Sequence, residues 1–317
     1  MSPDIEKAAT LLRQGELVAF PTETVYGLGA NAANPAAVAR IFAAKGRPAD
    51  HPLIVHLPGD DHLEHWARDI PDLAWELAEA FWPGPLTLIL RRQPGVPDAV
   101  TGGQDTVGLR VPGHPLALAL IRSFGGGVAA PSANRFGHIS PTTAAHVRDE
   151  LGDAVAMIVD GGPCAVGIES TIVDLTRGEP RILRPGMLSA VDLGRVIGRL
   201  PAADAGQDAP RVSGALESHY APRTPLVLLP PDAIIFAVRD ALARDERLAV
   251  LAPMACPIDD ERIVWQQAPG DPAGFAHDLY ANLRRLDEAG CARIVVQRPP
   301  AAEAWLAVAD RLRRAAA

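Results

Sequence analysis

Between Pro201 and Pro225 the sequence loses its period. The stretch is rich in Pro, Ala, Gly and Asp and has no apolar stripe. Such a segment cannot bury a face, so it reads as a linker, and the chain on either side of it must pack separately. A chain of 317 residues is long enough for two domains. The expected layout is a first domain over 1–200, a linker or lid over 201–225 and a smaller domain over 226–317.

The two sides have different rhythms. After the linker, short apolar runs at Leu226–Leu229, Leu248–Leu251, Ile263–Gln266 and Ile294–Gln297 alternate with helical patterns near Asp232–Ala243, Pro272–Ala289 and Ala302–Ala315. That alternation predicts a parallel, Rossmann-like three-layer unit. It contains no G-x-G-x-x-G, so no dinucleotide is inferred there. Before the linker, many short strands mix with helices and tight glycine turns. Leu17–Phe20 is a buried strand running into Pro21–Gly29, read as a polar loop, and a helix follows over about Pro35–Ala44. Further strands are expected at Leu53–Leu57, Leu86–Leu90, Val107–Val111, Ala156–Val159, Ser170–Asp174 and Arg181–Leu183. The class is α/β, with a sheet of mixed strand directions.

Composition narrows the function. Net charge is −8, and the basic residues are scattered. A chain that grips a long polyanion usually presents a basic face. Scattered cations suit a small anionic ligand instead, and any tRNA contact is expected to be indirect or weak. No apolar run approaches the ~20 residues of a membrane helix, and the N-terminus lacks a signal-peptide pattern. A soluble, cytoplasmic protein without membrane contact is expected. The three cysteines, Cys164, Cys256 and Cys291, are far apart. They suggest neither a disulfide framework nor a zinc site, and no other protein metal ligand set is seen.

No P-loop, G-x-S-x-G or kinase signature is present. Five short segments carry the polar chemistry instead. Lys45-Gly46-Arg47-Pro48 puts two cations at a helix-to-loop junction, where they are either solvated or turned onto phosphate oxygens. Pro131-Ser132-Ala133-Asn134 follows an apolar strand and offers a hydroxyl and an amide at alternate positions. Gly167-Ile168-Glu169-Ser170-Thr171 brings two hydroxyls to a strand start. Leu183-Arg184-Pro185-Gly186 ends a strand on a cation. Ser218-His219-Tyr220-Ala221-Pro222 places an aromatic pair in the linker.

Taken in order, together with Pro21-Thr22-Glu23-Thr24-Val25-Tyr26-Gly27-Leu28, these segments resemble the two-domain threonylcarbamoyl-AMP synthases. The likeness runs from about Leu12 to Gly186 and includes the end of the linker. It implies a YrdC-like catalytic domain, a twisted mixed sheet around a concave cavity, followed by the Rossmann-like domain. It implies a nucleotidyltransferase that joins L-threonine, bicarbonate (or CO2) and ATP, with Mg2+ on the phosphates. The product, threonylcarbamoyl-AMP, would go to tRNA threonylcarbamoyl-transfer proteins acting at position 37 of tRNAs reading ANN codons.

The resemblance also implies roles. Thr24, His56, Arg110, Ala130 and Ser170 would hold L-threonine. Arg47, His51, Thr106, Ser132, Ser140, Arg184 and Tyr220 would hold ATP. Lys45, Arg47, Ser132 and Asn134 would serve the chemical step. Position 51 departs from the family: relatives commonly have Asn where this chain has His51. A histidine offers either a neutral donor or a cation. Two other readings compete, an RNA-binding module of the same fold and a carbamoyltransferase. The acidic balance opposes the first. The second usually brings acylphosphatase and zinc-finger segments, which this chain does not carry.

Overall fold

The computed structural model describes residues 2–202, 206 and 208–317. They form two compact units. One contains the chain up to Phe136 together with Pro141–Ala215; the other contains Gly137–Ser140 and Leu216–Ala317. The division therefore falls inside the expected linker, after Ala215. The loop Gly137–Ser140 counts with the second unit because His138 bridges Ala221 and the Gly137 carbonyl accepts the Ala221 N–H. That pairing is non-local and leaves no periodic trace in the sequence.

The strands of the first unit are β1 (Val18–Phe20), β2 (Gly27–Asn31), β3 (Ile54–His56), β4 (Ala67–Arg68), β5 (Leu86–Arg92), β6 (Thr106–Arg110), β7 (Val128–Ala129), β8 (Met157–Ile158), β9 (Thr171–Asp174) and β10 (Arg181–Arg184). Among the described residues they make one sheet in the order β10-β9-β5-β6-β3-β7-β2-β1-β8, with β4 paired to β5. Directions are mixed: β3–β6, β5–β9 and β1–β8 are parallel, and the remaining pairs are antiparallel.

One expectation is corrected here. Gly27-Leu28-Gly29, read as loop, is the start of β2, hydrogen-bonded to β1. The glycines are needed for close packing rather than for a turn. A Cβ on Gly29 would lie 2.7 Å from the Phe20 ring and 3.1 Å from the Val18 carbonyl.

The helix Pro35–Lys45 shows how local signals place a site residue. Asn34 caps it by accepting the Ala36 and Ala37 N–H groups, Pro35 occupies its first turn, and Gly46 ends it in the left-handed region at φ 63°. Its buried face is Ala37, Val38, Ile41, Phe42 and Lys45. The spacing 38, 41, 42, 45 is a helical stripe, so Lys45 points inward with the apolar residues.

The second unit has β11 (Leu226–Leu229), β12 (Leu248–Ala252), β13 (Ile263–Gln267) and β14 (Arg293–Gln297). They form a parallel sheet in the order β11-β14-β12-β13. The helices Ile234–Ala243, Pro272–Asp287 and Leu306–Ala315 alternate with these strands, close to the expected pattern.

Candidate active site

Two groups of buried polar side chains lie in the first unit. In the first group, His56 ends β3 and Arg110 ends β6. The parallel register sets them directly beside each other. Arg110 is buried. Its Nε donates to the Gly84 carbonyl at 3.1 Å, Nη1 to Thr24 Oγ1 at 3.0 Å and Nη2 to Glu23 Oε1 at 2.6 Å. A guanidinium has five N–H donors. With one bond at each terminal nitrogen among the described residues, one N–H remains at each for a ligand, which suits a carboxylate.

Thr24 is polarised by its neighbour. The Thr22 hydroxyl donates to the Val25 carbonyl at 2.6 Å, so toward Thr24 it can only accept. The Thr24 hydroxyl must then donate to Thr22 across 2.8 Å while accepting from Arg110. What Thr24 still offers a ligand is a lone pair. His56 packs edge-on to Phe20, and its Nδ1 has no hydrogen-bond partner among the described residues. Burial, followed by the nearby Arg110 charge, pushes its pKa down to about 3. It is a neutral imidazole at physiological pH. Ala130 joins this group through its backbone, its N–H donating to the Ile54 carbonyl at 3.0 Å.

The second group is cationic. Lys45 Nζ donates to the carbonyls of Ser132 and Asn134. Its pKa lies well below the ordinary lysine value, first through burial and then through the Arg47 charge. Arg47 Nη2 donates to the Pro52 carbonyl at 2.9 Å and to Ser213 Oγ at 3.1 Å. Arg184 holds the Ser170 carbonyl through Nε and Nη2, the Ser170 hydroxyl at 3.0 Å and the Ser213 carbonyl at 2.8 Å. Gly186 allows this approach, because a Cβ there would sit 2.4 Å from the Thr171 nitrogen. The junction cations are therefore not solvated: Lys45 is 4% exposed and Arg47 8%. His51 lies beside them, its ring 5.3 Å from that of Phe136. Burial and then Arg47 lower its pKa, which keeps it neutral near pH 7.

The middle of the linker covers part of this second group. Arg211 pairs with Asp50 at 3.1 Å and exchanges two hydrogen bonds with Gln104. Val212 packs on the cluster Ile54, Ile89 and Ile172. Only about 10 Å³ of cavity remains between Thr106, Gly108 and Arg211–Ser213, roughly one water.

Residues 10–186 match the family described as Telomere recombination, the Sua5–YciO–YrdC group, and residues 186–317 match the threonylcarbamoyl-AMP synthase C-terminal domain. The chain is 41% identical to the threonylcarbamoyl-AMP synthase of Pyrococcus abyssi, over 98% of this chain and 93% of that one. It is 42% identical to the Bacillus subtilis enzyme of the same name, over 99% and 93%. The crystal structure of Pyrococcus abyssi Sua5 complexed with L-threonine superposes with a TM-score of 0.90 at 40% identity, covering 98% of this chain and 94% of that one.

The chain belongs to the threonylcarbamoyl-AMP synthase family.

The residues that the family resemblance implies divide between the units. Thr24, His56, Arg110, Ala130 and Ser170, with Lys45, Arg47, His51, Thr106, Ser132, Asn134 and Arg184, lie in the first. Ser140 and Tyr220 lie in the second. Tyr220 packs among aromatic and cationic neighbours there. It is 1% exposed, stacked on Tyr280 at 5.7 Å, with the Arg311 guanidinium 5.3 Å from its ring centre. Its φ of 63° is in the left-handed region, which a tyrosine adopts only when packing holds it.

Four residues of the network had no assigned role in the sequence reading. Thr22 and Glu23 belong to the quoted motif but carry no chemistry by spacing alone. Ser213 is hidden in aperiodic sequence. Thr87 is a fully buried polar residue on β5, 2.8 Å from Ser170 Oγ, and on sequence it passes for an ordinary β-branched strand residue.

Proposed function

We propose that this chain is an L-threonylcarbamoyladenylate synthase whose chemistry takes place in the first unit. It joins L-threonine, bicarbonate or CO2, and ATP, releasing pyrophosphate, and its product serves threonylcarbamoyladenosine formation in tRNA. The supporting observation is the double membership of Ser170. It belongs to the threonine set, and its hydroxyl and carbonyl are both held by Arg184 of the nucleotide set. Ser170, which the family resemblance assigns to threonine, is thus held by a residue assigned to the nucleotide, and a reaction between two bound substrates needs the two sets to be coupled in this way.

The residues suggest a division of labour. Arg110 takes the α-carboxylate of threonine, Thr24 accepts from its amine or hydroxyl, and neutral His56 adds a polar contact without charge. Lys45, Arg47 and Arg184 face the phosphates, with Ser132, Thr106 and His51 beside them. Asn134 holds Lys45 through its carbonyl. Ser140 and Tyr220 complete the nucleotide set by family resemblance. As the carbamate oxygen attacks the α-phosphorus, charge develops on phosphate oxygens. Fixed cations in a dry site stabilise it without reorganisation. An arriving phosphate also supplies negative charge that favours the protonated form of buried Lys45. Among the described residues there is no group of three or more His, Cys, Asp or Glu arranged for a metal. Mg2+ would arrive as part of the MgATP substrate, held by phosphate oxygens. No described helix is long and apolar enough to cross a membrane. The transfer proteins that use the product act downstream, and tRNA contact here is indirect or weak.

The test is pyrophosphate release and the mass of the adenylate, with ATP, Mg2+ and bicarbonate present. L-Threonine should be best and L-serine weaker, because a polar pocket discriminates strongly against a missing hydroxyl. Equal turnover with L-valine, or turnover independent of bicarbonate, would overturn the assignment.

A further inference from the structure

We infer that Glu23 is a positioning residue for threonine recognition: it sets the plane of the Arg110 guanidinium and so the direction of its free N–H groups. The inference rests on the reading of Arg110 as the carboxylate-binding residue.

A guanidinium at the end of a flexible stem can rotate, and a bidentate contact tolerates little rotation. Three contacts hold it here. The Gly84 carbonyl and the Thr24 hydroxyl are neutral acceptors. Glu23 is the charged one and lies nearest, at 2.6 Å. Glu23 is itself fixed at two points, and the next residue adds a third. Its second oxygen accepts the Gly113 N–H at 2.9 Å, its backbone carbonyl accepts the Val166 N–H at 2.7 Å, and the neighbouring Thr24 carbonyl accepts the Gly167 N–H at 3.1 Å. A Cβ on Gly113 would stand 3.4 Å from the Glu23 carboxyl carbon, so the glycine keeps that side close. The pair is well screened from water, with side chains 4% and 13% exposed.

A carboxylate beside a carboxylate-binding arginine lowers the raw attraction for the substrate. What it provides in exchange is orientation. The charge of Arg110 is already balanced, so a ligand is recognised by the fit of two hydrogen bonds more than by charge. This favours an amino acid with a carboxylate in the correct place over anions in general.

The experiment compares Glu23→Ala, Glu23→Gln and Arg110→Ala by steady-state kinetics on both substrates and by L-threonine titration of the full chain. Glu23→Ala should raise the KM for threonine by about tenfold or more, the loss of one charge-assisted bond, and leave the KM for ATP within about threefold. Glu23→Gln should recover part of that loss, because its amide oxygen can still accept from Nη2 while its NH2 opposes the Gly113 N–H. A merely structural role would instead shift both KM values together in proportion to a lowered Tm. If Arg110→Ala raises the threonine KM and neither Glu23 variant does, the inference is overturned and the site reading stands. If Arg110→Ala leaves threonine binding intact, the site reading itself fails. Should Glu23→Ala not fold, Glu23→Gln alone decides: a threonine KM equal to that of the parent chain overturns the inference.

Discussion

Both units bury charged groups, and Asp310 in the second is treated in the opposite way to Lys45 in the first. In the second, Asp310 is flanked by Arg311 at 2.8 Å, Arg313 at 3.0 Å and Arg314 at 3.0 Å. Burial alone would raise its pKa, yet the three arginines hold it below the ordinary carboxylate value. Its charged form is the comfortable one. In the first unit Lys45 is held by two carbonyls and has Arg47 as a neighbour, and its charged form is strongly disfavoured. The Asp310 cluster balances its own charge and serves the fold. Buried Lys45, disfavoured as a cation by burial and by Arg47, marks a place for an anion.

The contrast can be broken with acid, where the largest effect is expected. His56 has a folded pKa of about 3 against an ordinary 6.5. The unfolded chain therefore takes up the proton first. His56 costs nothing above about pH 6.5, and first-unit stability should fall by ~1.4 kcal/mol per pH unit below it, down to about pH 3. The depressed Asp310 works in a lower window: its contribution is complete above the ordinary carboxylate value and is lost only as pH falls through its lower folded value. Hydrogen exchange between pH 7 and pH 4 should show the first unit loosening while the second holds. His56→Asn should flatten the first unit's slope. Simultaneous loosening in both units would erase the distinction.

A second test removes one partner from each network. Asp310→Ala removes an ion-pair partner of fully buried Arg311 and should destabilise the second unit by ~3–5 kcal/mol in denaturant melts. Lys45→Met should do the reverse: fold stability at pH 7 unchanged or higher, and adenylate formation reduced by at least about tenfold, for one lost charge-assisted contact. A large drop in Tm for Lys45→Met would make Lys45 structural.

The smallest effect concerns the family departure. His51 is held neutral by burial and Arg47. His51→Asn exchanges one neutral polar group for another, so activity at pH 7–8 should stay within about threefold, below the weight of one neutral hydrogen bond. A rate that climbs only as pH falls below 6.5 in the parent chain, and not in the variant, would show that protonated His51 takes part.

The local elements that carry several candidate site residues could be read from the sequence. The Asn34 cap, Pro35 and Gly46 delimit a helix, and the stripe Val38, Ile41, Phe42 and Lys45 was already enough to turn the lysine inward. The reading of solvated junction cations overlooked that stripe. The alternation after Leu226 likewise predicted its strands to within a residue. Local periodicity, capping and turn chemistry are short-range, so they are written in neighbouring residues.

What lay outside the sequence's reach was long-range pairing. The β3–β6 register brings His56 beside Arg110, and the fold brings Glu23 onto that arginine and Ser213 onto Arg47 and Arg184. It also packs Tyr220 against Tyr280 and Arg311 of the second unit, which the motif alone did not indicate. By itself the sequence determined which polar residues exist and which local elements carry them. Only the tertiary structure decided which charges are compensated, because compensation depends on distance and burial, and neither is a property of neighbouring positions along a chain.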